Sequence, residues 1–202
     1  MKRSKEETLA TRKAILREAM ACFSERGYAL TTFRDIAEHL GLSKGAIFWH
    51  FKTKEALLAE LMLEGHKTYE PLKGLEEVTT LEGVRDVFLQ WGHAIEHHTN
   101  LRRFMRFAMS RVEWSDALTR SLSKTFDGMM LTDPFDRLVA KLEELREAGK
   151  WAGVVTAQQV AVMLFSLFFG AYRSAWQHKR KLDVSATIAA GMDFVLQGLR
   201  SK

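Results

Sequence analysis

The fold of this chain is decided by residues 31–51, which read TTFRDIAEHLGLSKGAIFWHF. Thr32 and Ser43 are hydroxyl residues of the kind that cap the start of a helix, and Gly41 is the residue type that most often follows a helix end. The pattern therefore predicts two short helices on either side of a tight Gly41-Leu42-Ser43 turn. Apolar residues at the spacing of one buried face should form a common core, namely Ile36, Ala37, Leu40, Leu42, Ile47 and Phe51.

Two longer helices flank this pair. Before it, apolar residues three and four positions apart predict a helix from about Thr8 to Arg26, ended by Gly27. After it, Thr53 can cap a helix over 53–66. Its apolar face would consist of Leu57, Leu58, Leu61 and Met62. With 2 prolines in 202 residues and 47% hydrophobic residues, the chain is predicted to be globular and all-α.

The two short helices have the layout of a helix-turn-helix, in which the second helix enters the DNA major groove by its N-terminal end. Small helical bundles with other functions contain such turns too, so the turn alone does not decide the function. The exposed side favours DNA, because a solvent-facing Phe48-Trp49 pair would be an uncovered apolar patch unless something packs on it. Thymine methyl groups and sugars can cover it, and Lys44 can reach a guanine edge or a phosphate.

Positive charge is concentrated at the N-terminal end of the chain. Residues 1–54 contain 11 Lys and Arg against 6 Asp and Glu, whereas residues 55–202 contain 19 of each class. A basic unit next to a neutral one suits binding to a polyanion through one end, since Lys and Arg displace counterions from phosphates. Taken alone, a chance imbalance of surface charge would look the same.

A dense run of short motifs spans about residues 9–58: Gly27-Tyr28, Thr31-Thr32, Asp35-Ile36-Ala37, the stretch from Gly41 to Phe51, and Lys54-Glu55. At these spacings the chain resembles the TetR-type (TetR/AcrR) family of transcriptional regulators. The resemblance implies an N-terminal three-helix helix-turn-helix DNA-binding domain at 1–54, with its core at about 8–52. A larger helical ligand-binding and dimerisation domain follows at 55–202, connected through the helix 53–66, with about nine helices in all.

The resemblance also implies roles on DNA. Contacts to the DNA backbone are expected from Thr31, Thr32, His50 and Lys54, and groove-facing positions are Lys44, Gly45, Phe48 and Trp49. Phe48 departs from the family pattern, which usually has a tyrosine there. Phenylalanine keeps the apolar contact and loses one hydrogen bond to a phosphate, worth ~1 kcal/mol.

The segment 156–179 is apolar nearly all round, which in a soluble protein requires burial on more than one face. We expect one face of this helix to pack on the rest of its own C-terminal domain, called the body. The other face, together with the last helix at about 184–200, is expected to pack on a second copy of the chain. The predicted isologous interface comprises Phe165, Phe169, Tyr172, Trp176, Ile188, Met192, Val195 and Leu199. A homodimer carries two copies of the N-terminal DNA-binding domain, here called the heads. Two heads require a pseudo-palindromic operator in double-stranded DNA.

The middle of the body is rich in aromatic residues and methionine. The set consists of Trp91, Phe104, Phe107, Met109, Trp114, Phe126, Met129, Met130 and Phe168. Each of them alone is more typical of core than of a pocket, but together they favour a small lipophilic or aromatic effector. In the family, a ligand bound here changes the separation of the two heads, so the resemblance implies a repressor released by its effector. An effector-independent DNA-binding or protein-recruiting factor of the same fold is the alternative.

Other classes of function lack support in the sequence. His93 and His97 lie four residues apart, but two imidazoles without a third ligand are not a metal site, and we predict no metal or cofactor. The chain has no Gly-rich phosphate loop, no G-x-S-x-G and no H-E-x-x-H, and its single cysteine, Cys22, falls on the apolar face of the first helix, where it should be inert. No apolar stretch reaches the ~20 residues of a membrane span. We therefore predict a cytoplasmic regulator with no membrane contact and no enzymatic activity.

Overall fold

The computed structural model describes residues 4–127, 133–151, 154–178 and 182–200, with all side chains in these ranges except those of 66–69, 124–127 and 178. This part of the chain is all-α, as predicted, and contains ten α-helices instead of about nine. They are α1 (Lys5–Arg26), α2 (Phe33–His39), α3 (Lys44–His50), α4 (Lys54–Tyr69), α5 (Leu81–His97), α6 (Thr99–Ser110), α7 (Asp116–Asp127), α8 (Pro134–Glu147), α9 (Ala157–His178) and α10 (Val184–Arg200), with a short 3-10 helix at Leu75–Glu77.

The chain divides by packing into two compact units. Unit 1 is formed by Met1–Tyr69 and Arg103–Leu131, and unit 2 by Glu70–Arg102 and Thr132–Lys202. This division differs from the predicted boundary between residues 54 and 55. Its physical reason is that the apolar face of α4 belongs to the core of unit 1, and so do Phe107 of α6 and Leu118 of α7.

The core of unit 1 is built on α1. A capping box joins Ser4 and Glu7, so the helix begins at Lys5, one turn earlier than the predicted Thr8. The helix ends at Gly27, whose φ of +92° favours glycine. Its buried face consists of Ile15, Leu16, Ala19, Cys22 and Phe23.

The turn between α2 and α3 has the predicted local structure. The hydroxyl of Thr32 accepts from the Asp35 backbone N–H, and that of Ser43 accepts from the Ala46 N–H at 3.1 Å. Gly41 takes the left-handed conformation with φ +63°, which lets the chain reverse between the two helices. These caps fix the start of each helix without help from distant residues.

Unit 2 packs α9 against α8 and α10, and α10 against α5. Trp91 of α5 stacks on Phe168 of α9 with 4.6 Å between ring centroids, and the Tyr172 hydroxyl donates to the Gly92 carbonyl at 2.9 Å. Arg137 of α8 pairs with Glu76 of the 3-10 helix. Among the described residues, no helix is both long and apolar enough to cross a membrane.

Candidate nucleic-acid interface

Helix α3 presents an aromatic pair to solvent. Phe48 is 50% and Trp49 is 62% exposed, although Ile47 beside them is fully buried in the core of unit 1. Lys44 and Gly45, in the first turn of the same helix, are also exposed. The seven residues of α3 therefore place a cation, a residue without a side chain and two large rings on its solvent side.

The two rings have neighbours of their own. The Lys52 ammonium lies 4.9 Å from the centroid of the Phe48 ring, and the Trp49 ring meets the His50 ring edge to face at 4.7 Å. A cation above an exposed ring adds positive charge to an apolar surface. This combination suits a surface that packs against sugars and thymine methyl groups between phosphates.

Arg12 holds the C-terminal end of α3, a role that the sequence did not reveal. Its guanidinium lies 4.1 Å from the centroid of the Phe51 ring and donates to the His50 carbonyl at 2.7 Å. The same group forms a bidentate ion pair with Glu60 of α4. Three elements of unit 1 are thus joined by one side chain, and its partners lie 38 and 48 residues away in sequence.

The loop before α2 is fixed by two residues that were predicted to contact DNA. Thr31 is fully buried, and its hydroxyl donates to the Gly27 carbonyl at 2.8 Å. The Lys54 ammonium donates to the carbonyls of Tyr28, Ala29 and Thr31 at 2.9, 3.1 and 3.1 Å. Burial lowers the pKa of Lys54. Both side chains use their donors inside unit 1, so in this arrangement they position the helix-turn-helix.

The same loop is held from the other side by the segment after α6. The Tyr28 N–H donates to the Arg111 carbonyl at 2.8 Å, and the Ala29 N–H donates to the Glu113 carboxylate at 3.1 Å. Backbone donors of the loop are therefore satisfied by residues that follow α6 directly. A displacement of this end of α6 would change the contacts that support the start of α2.

Comparison with known proteins identifies relatives of this chain. Residues 15–61 match the family described as "Bacterial regulatory proteins, tetR family". The sequence is 28% identical to the HTH-type transcriptional regulator TtgR of Pseudomonas putida, with 99% of this chain and 96% of that protein aligned. The chain is thus similar to TetR-family regulators, and residues 15–61 carry the match to the family itself. Its similarity to relatives named as transcriptional regulators is what assigns it to that class.

Solved structures of TetR-family proteins share the fold. SmeT, the repressor of the Stenotrophomonas maltophilia multidrug efflux pump SmeDEF, superposes with a TM-score of 0.74 at 25% identity, over 96% of this chain and 93% of SmeT. A SmeT-triclosan complex matches at 27% identity with the same TM-score and coverage. NalD of Pseudomonas aeruginosa has a TM-score of 0.75 at 21% identity, over 98% of this chain and all of the NalD chain, and supports the fold.

The nine candidate effector residues are divided between the two units. Trp91 and Phe168 are buried in unit 2. Phe107 in unit 1 is fully buried and stacks on Phe23 at 5.8 Å, which is the core role that the sequence left open. The remaining described members of unit 1 are Phe104 and Met109, both half-buried, and Trp114, which is half-exposed with its indole N–H on the Ala108 carbonyl. The Phe126 side chain and all of Met129 and Met130 lie outside the described residues.

The structure buries half of the predicted dimer-facing residues of α9 and α10 within a single chain. Four of the eight predicted side chains are buried within a single chain, namely Tyr172, Ile188, Met192 and Leu199. Phe165, Phe169, Trp176 and Val195 are half-buried. Phe165 and Phe169 belong to an aromatic cluster with Trp91. The physical reason is that α9 is apolar nearly all round, so periodicity did not show which stripe faces its own chain.

A different stripe of these helices is exposed. Phe194 of α10 is 81% exposed, and Val162 and Met163 of α9 are about half-exposed. A groove of about 290 Å³ on the same two helices is lined mainly by small residues, including Gly170, Ala171 and Ser174.

The two histidines of α5 that were considered as metal ligands contact each other. The rings of His93 and His97 stack with 3.8 Å between centroids, and His97 Nδ1 lies 2.9 Å from the His93 carbonyl. Glu96 accepts from the Ser185 hydroxyl at 3.0 Å. Among the described side chains, this pair is joined by no third potential metal ligand.

Proposed function

We propose that this chain is a ligand-responsive transcriptional repressor. It binds a pseudo-palindromic operator as a homodimer in the cytoplasm. The homodimer leaves the operator when a small lipophilic or aromatic effector binds to its body. The observation that carries the proposal is the exposed Phe48-Trp49 pair on α3. This helix is capped by Ser43 and lies in the basic part of the chain, within the residues that match the TetR family. The proposal includes neither an enzymatic activity nor a cofactor.

The proposed DNA contacts follow from exposure. Lys44 and Gly45 lie at the N-terminal end of α3, where a helix enters the major groove. Phe48 and Trp49 would pack against base methyl groups and sugars. Thr32, the exposed N-cap residue of α2, is proposed to lie beside a phosphate of the DNA backbone.

His50 completes the proposed backbone contacts at the C-terminal end of α3. Thr31 and Lys54 act indirectly in this proposal. Both side chains hydrogen bond to carbonyls of the loop before α2. Replacing either residue would therefore displace the groove-facing residues without removing a base contact.

The proposed dimer forms through the exposed stripe of α9 and α10. Phe194, Val162 and Met163 would be covered by the same surface of a second copy, because an uncovered ring of this size is unfavourable in water. Isologous packing pairs each patch with its own copy and places two heads on one operator.

The effector proposal rests on the centre of unit 2. The Trp91 indole stacks on Phe168, and its Nε1 is buried without a hydrogen-bond partner among the described residues. A buried donor that lacks a partner costs ~1–3 kcal/mol, which a ligand with an oxygen acceptor would recover. Triclosan, the ligand named for the related SmeT, is an aromatic molecule with such an oxygen.

Release requires that the effector bind the DNA-incompetent state more tightly than the DNA-competent one. The contacts of Arg111 and Glu113 with the loop before α2 offer a route from α6 to the helix-turn-helix inside unit 1. A shift of this segment by less than a helical turn would break both hydrogen bonds. The head would then lose part of the support that orders α2.

The test is a titration of the preformed operator complex. A fluorescent operator obtained by selection from random duplexes is bound by the full-length chain, and triclosan is added while anisotropy is followed. We expect release by triclosan, and a weaker response from Trp91→Phe, which keeps an aromatic ring and removes the indole N–H. Trp114→Phe is the matched control, because the Trp114 N–H already has a carbonyl partner.

Failure of triclosan and of a panel of lipophilic phenols to release the operator would refute the proposed effector class. Stable operator binding combined with a protein partner on the body would favour the effector-independent alternative. An equal loss of response in both tryptophan variants would refute the role given to the Trp91 N–H.

A further inference from the structure

A second cluster of reactive side chains lies in unit 1, away from the exposed face of α3. Glu18 and Cys22 are four residues apart on α1 and share one face of that helix, and His39 is the last residue of α2. The Cys22 Sγ lies 3.6 Å from Glu18 Oε1 and 3.4 Å from His39 Nδ1. The His39 Nδ1 lies 2.7 Å from the same Glu18 oxygen. Two helices thus bring a thiol, an imidazole and a carboxylate to one point.

These separations are close to the edges of a zinc coordination tetrahedron. Bonds of ~2.3 Å to sulfur and ~2.0 Å to nitrogen and oxygen give ligand-to-ligand distances of about 3.5 Å for the sulfur edges and about 3.3 Å for the nitrogen–oxygen edge. Both sulfur distances already agree with these values within a few tenths of an ångström. The His39–Glu18 edge is shorter because it is a hydrogen bond, and it would open by about 0.6 Å around an ion.

Access to the cluster is asymmetric. Cys22 is buried, whereas the side chains of His39 and Glu18 are 42% and 27% exposed. An ion can therefore reach the cluster from the solvent side and keep a water as its fourth ligand. Asp35, a further acid on α2, is engaged by Thr32 and Arg26 and is not needed as a ligand.

We propose that Glu18, Cys22 and His39 form a binding site for a borderline-soft divalent ion of the Zn²⁺ class, which links α1 to α2, the first helix of the helix-turn-helix. The ion would take the thiolate sulfur, the neutral imidazole and a carboxylate oxygen, with release of the thiol proton to solvent. Magnesium and calcium prefer all-oxygen sites and are not expected here. The inference rests on unit 1 geometry and holds whether or not the effector proposal is correct.

The experiment uses Co²⁺ as a spectroscopic probe of the full-length, reduced chain, followed by displacement with Zn²⁺. Cys22 is the one cysteine in the sequence, so a thiolate-to-cobalt charge-transfer band in the near ultraviolet identifies it as a ligand. We expect this band, together with the visible bands of tetrahedral Co²⁺, to saturate at one equivalent per chain and to disappear on addition of Zn²⁺. Absence of the band would overturn the proposal.

Two variants test the other ligands without changing the buried core. His39→Gln and Glu18→Gln alter partly exposed side chains, and each should weaken Co²⁺ and Zn²⁺ binding by at least about 10-fold. His93→Gln is the matched control, since His93 belongs to the stacked pair of α5, and its band should be unchanged.

Thermal unfolding supplies a readout that depends on the link between the helices. Zn²⁺ should raise the melting temperature of the wild-type chain and leave that of His39→Gln unchanged, because binding to the native state alone stabilises it. The proposal is overturned if His39→Gln keeps wild-type metal affinity. It is also overturned if the band saturates at half an equivalent, which would place the ion between two chains.

Discussion

Replacement of Lys54 by methionine separates two roles of this residue, a phosphate contact and a support for the loop before α2. Methionine keeps an apolar stem of similar length and removes the ammonium that donates to Tyr28, Ala29 and Thr31. It also removes the cation 4.4 Å from the centroid of the Tyr28 ring. We expect loss of stability from this change without loss of a DNA phosphate contact.

The magnitude follows from these contacts. A hydrogen bond to a charged group contributes ~1.5–3 kcal/mol, and a cation–ring contact ~0.5–1 kcal/mol. The three bonds share one ammonium, and the exposed Ala29 carbonyl can be hydrated after the substitution, so they do not add fully. We therefore expect the free energy of unfolding to fall by about 3 kcal/mol, which for a chain of this size lowers the melting temperature by ~6–12 °C.

The assay pairs thermal unfolding at fixed protein concentration with operator affinity at several salt concentrations. A lost phosphate contact would lower the slope of log affinity against log salt by ~0.9 per copy. We expect an unchanged slope for Lys54→Met. Lys52→Met is the control, a matched change two residues away that should leave the melting temperature within ~2 °C. If Lys54→Met kept the wild-type stability and lowered the slope of log affinity against log salt, the reasoning would be refuted. Lys54 would then be a contact to a DNA phosphate.

Three further changes test other parts of the account. Phe194→Glu should make the chain monomeric by analytical ultracentrifugation and abolish operator binding. Leu9→Glu, the same type of change at an exposed position of unit 1, should stay dimeric. A dimeric Phe194→Glu would show that the interface is elsewhere. Ser43→Ala removes the cap of α3 and should lower the free energy of unfolding by ~1 kcal/mol in denaturant titrations, with no change as the contrary result. Hydrogen bonds from Thr32 hold the pKa of Asp35 below its usual value, so the stability that they contribute is present at neutral pH and is lost on acidification. Asp35→Asn should therefore be less stable than wild type at pH 7, with a difference that narrows below pH ~4. A difference in stability that does not depend on pH would contradict this.

Local hydrogen bonding explains what could be predicted from the sequence. The caps at Thr32 and Ser43 and the turn at Gly41 depend on residues within three positions, and the structure has all of them. The early start of α1 was missed, although Ser4 and Glu7 have capping-box spacing, because the apolar pattern begins only further along the helix.

Long-range contacts explain what the sequence did not reveal. The role of Arg12 depends on Glu60 and His50, which periodicity cannot place beside it. Periodicity also does not show which stripe of α9 faces its own chain, because this helix is apolar nearly all round. Tyr172, which was predicted to face a second copy, is buried within the single chain. The cluster at Cys22 was interpreted as inert packing because His39 approaches it from another helix.

The central claim is that a dimer reads DNA through the exposed aromatic pair of α3. Selection from a library of random duplexes, with the full-length chain and with Trp49→Ala, tests it most directly. We predict that the wild type enriches a pseudo-palindrome whose half-sites are centred about one helical turn, or a multiple of it, apart, and that Trp49→Ala loses this preference. Enrichment of no sequence, of a single unpaired half-site, or of the same palindrome by both proteins would contradict the claim.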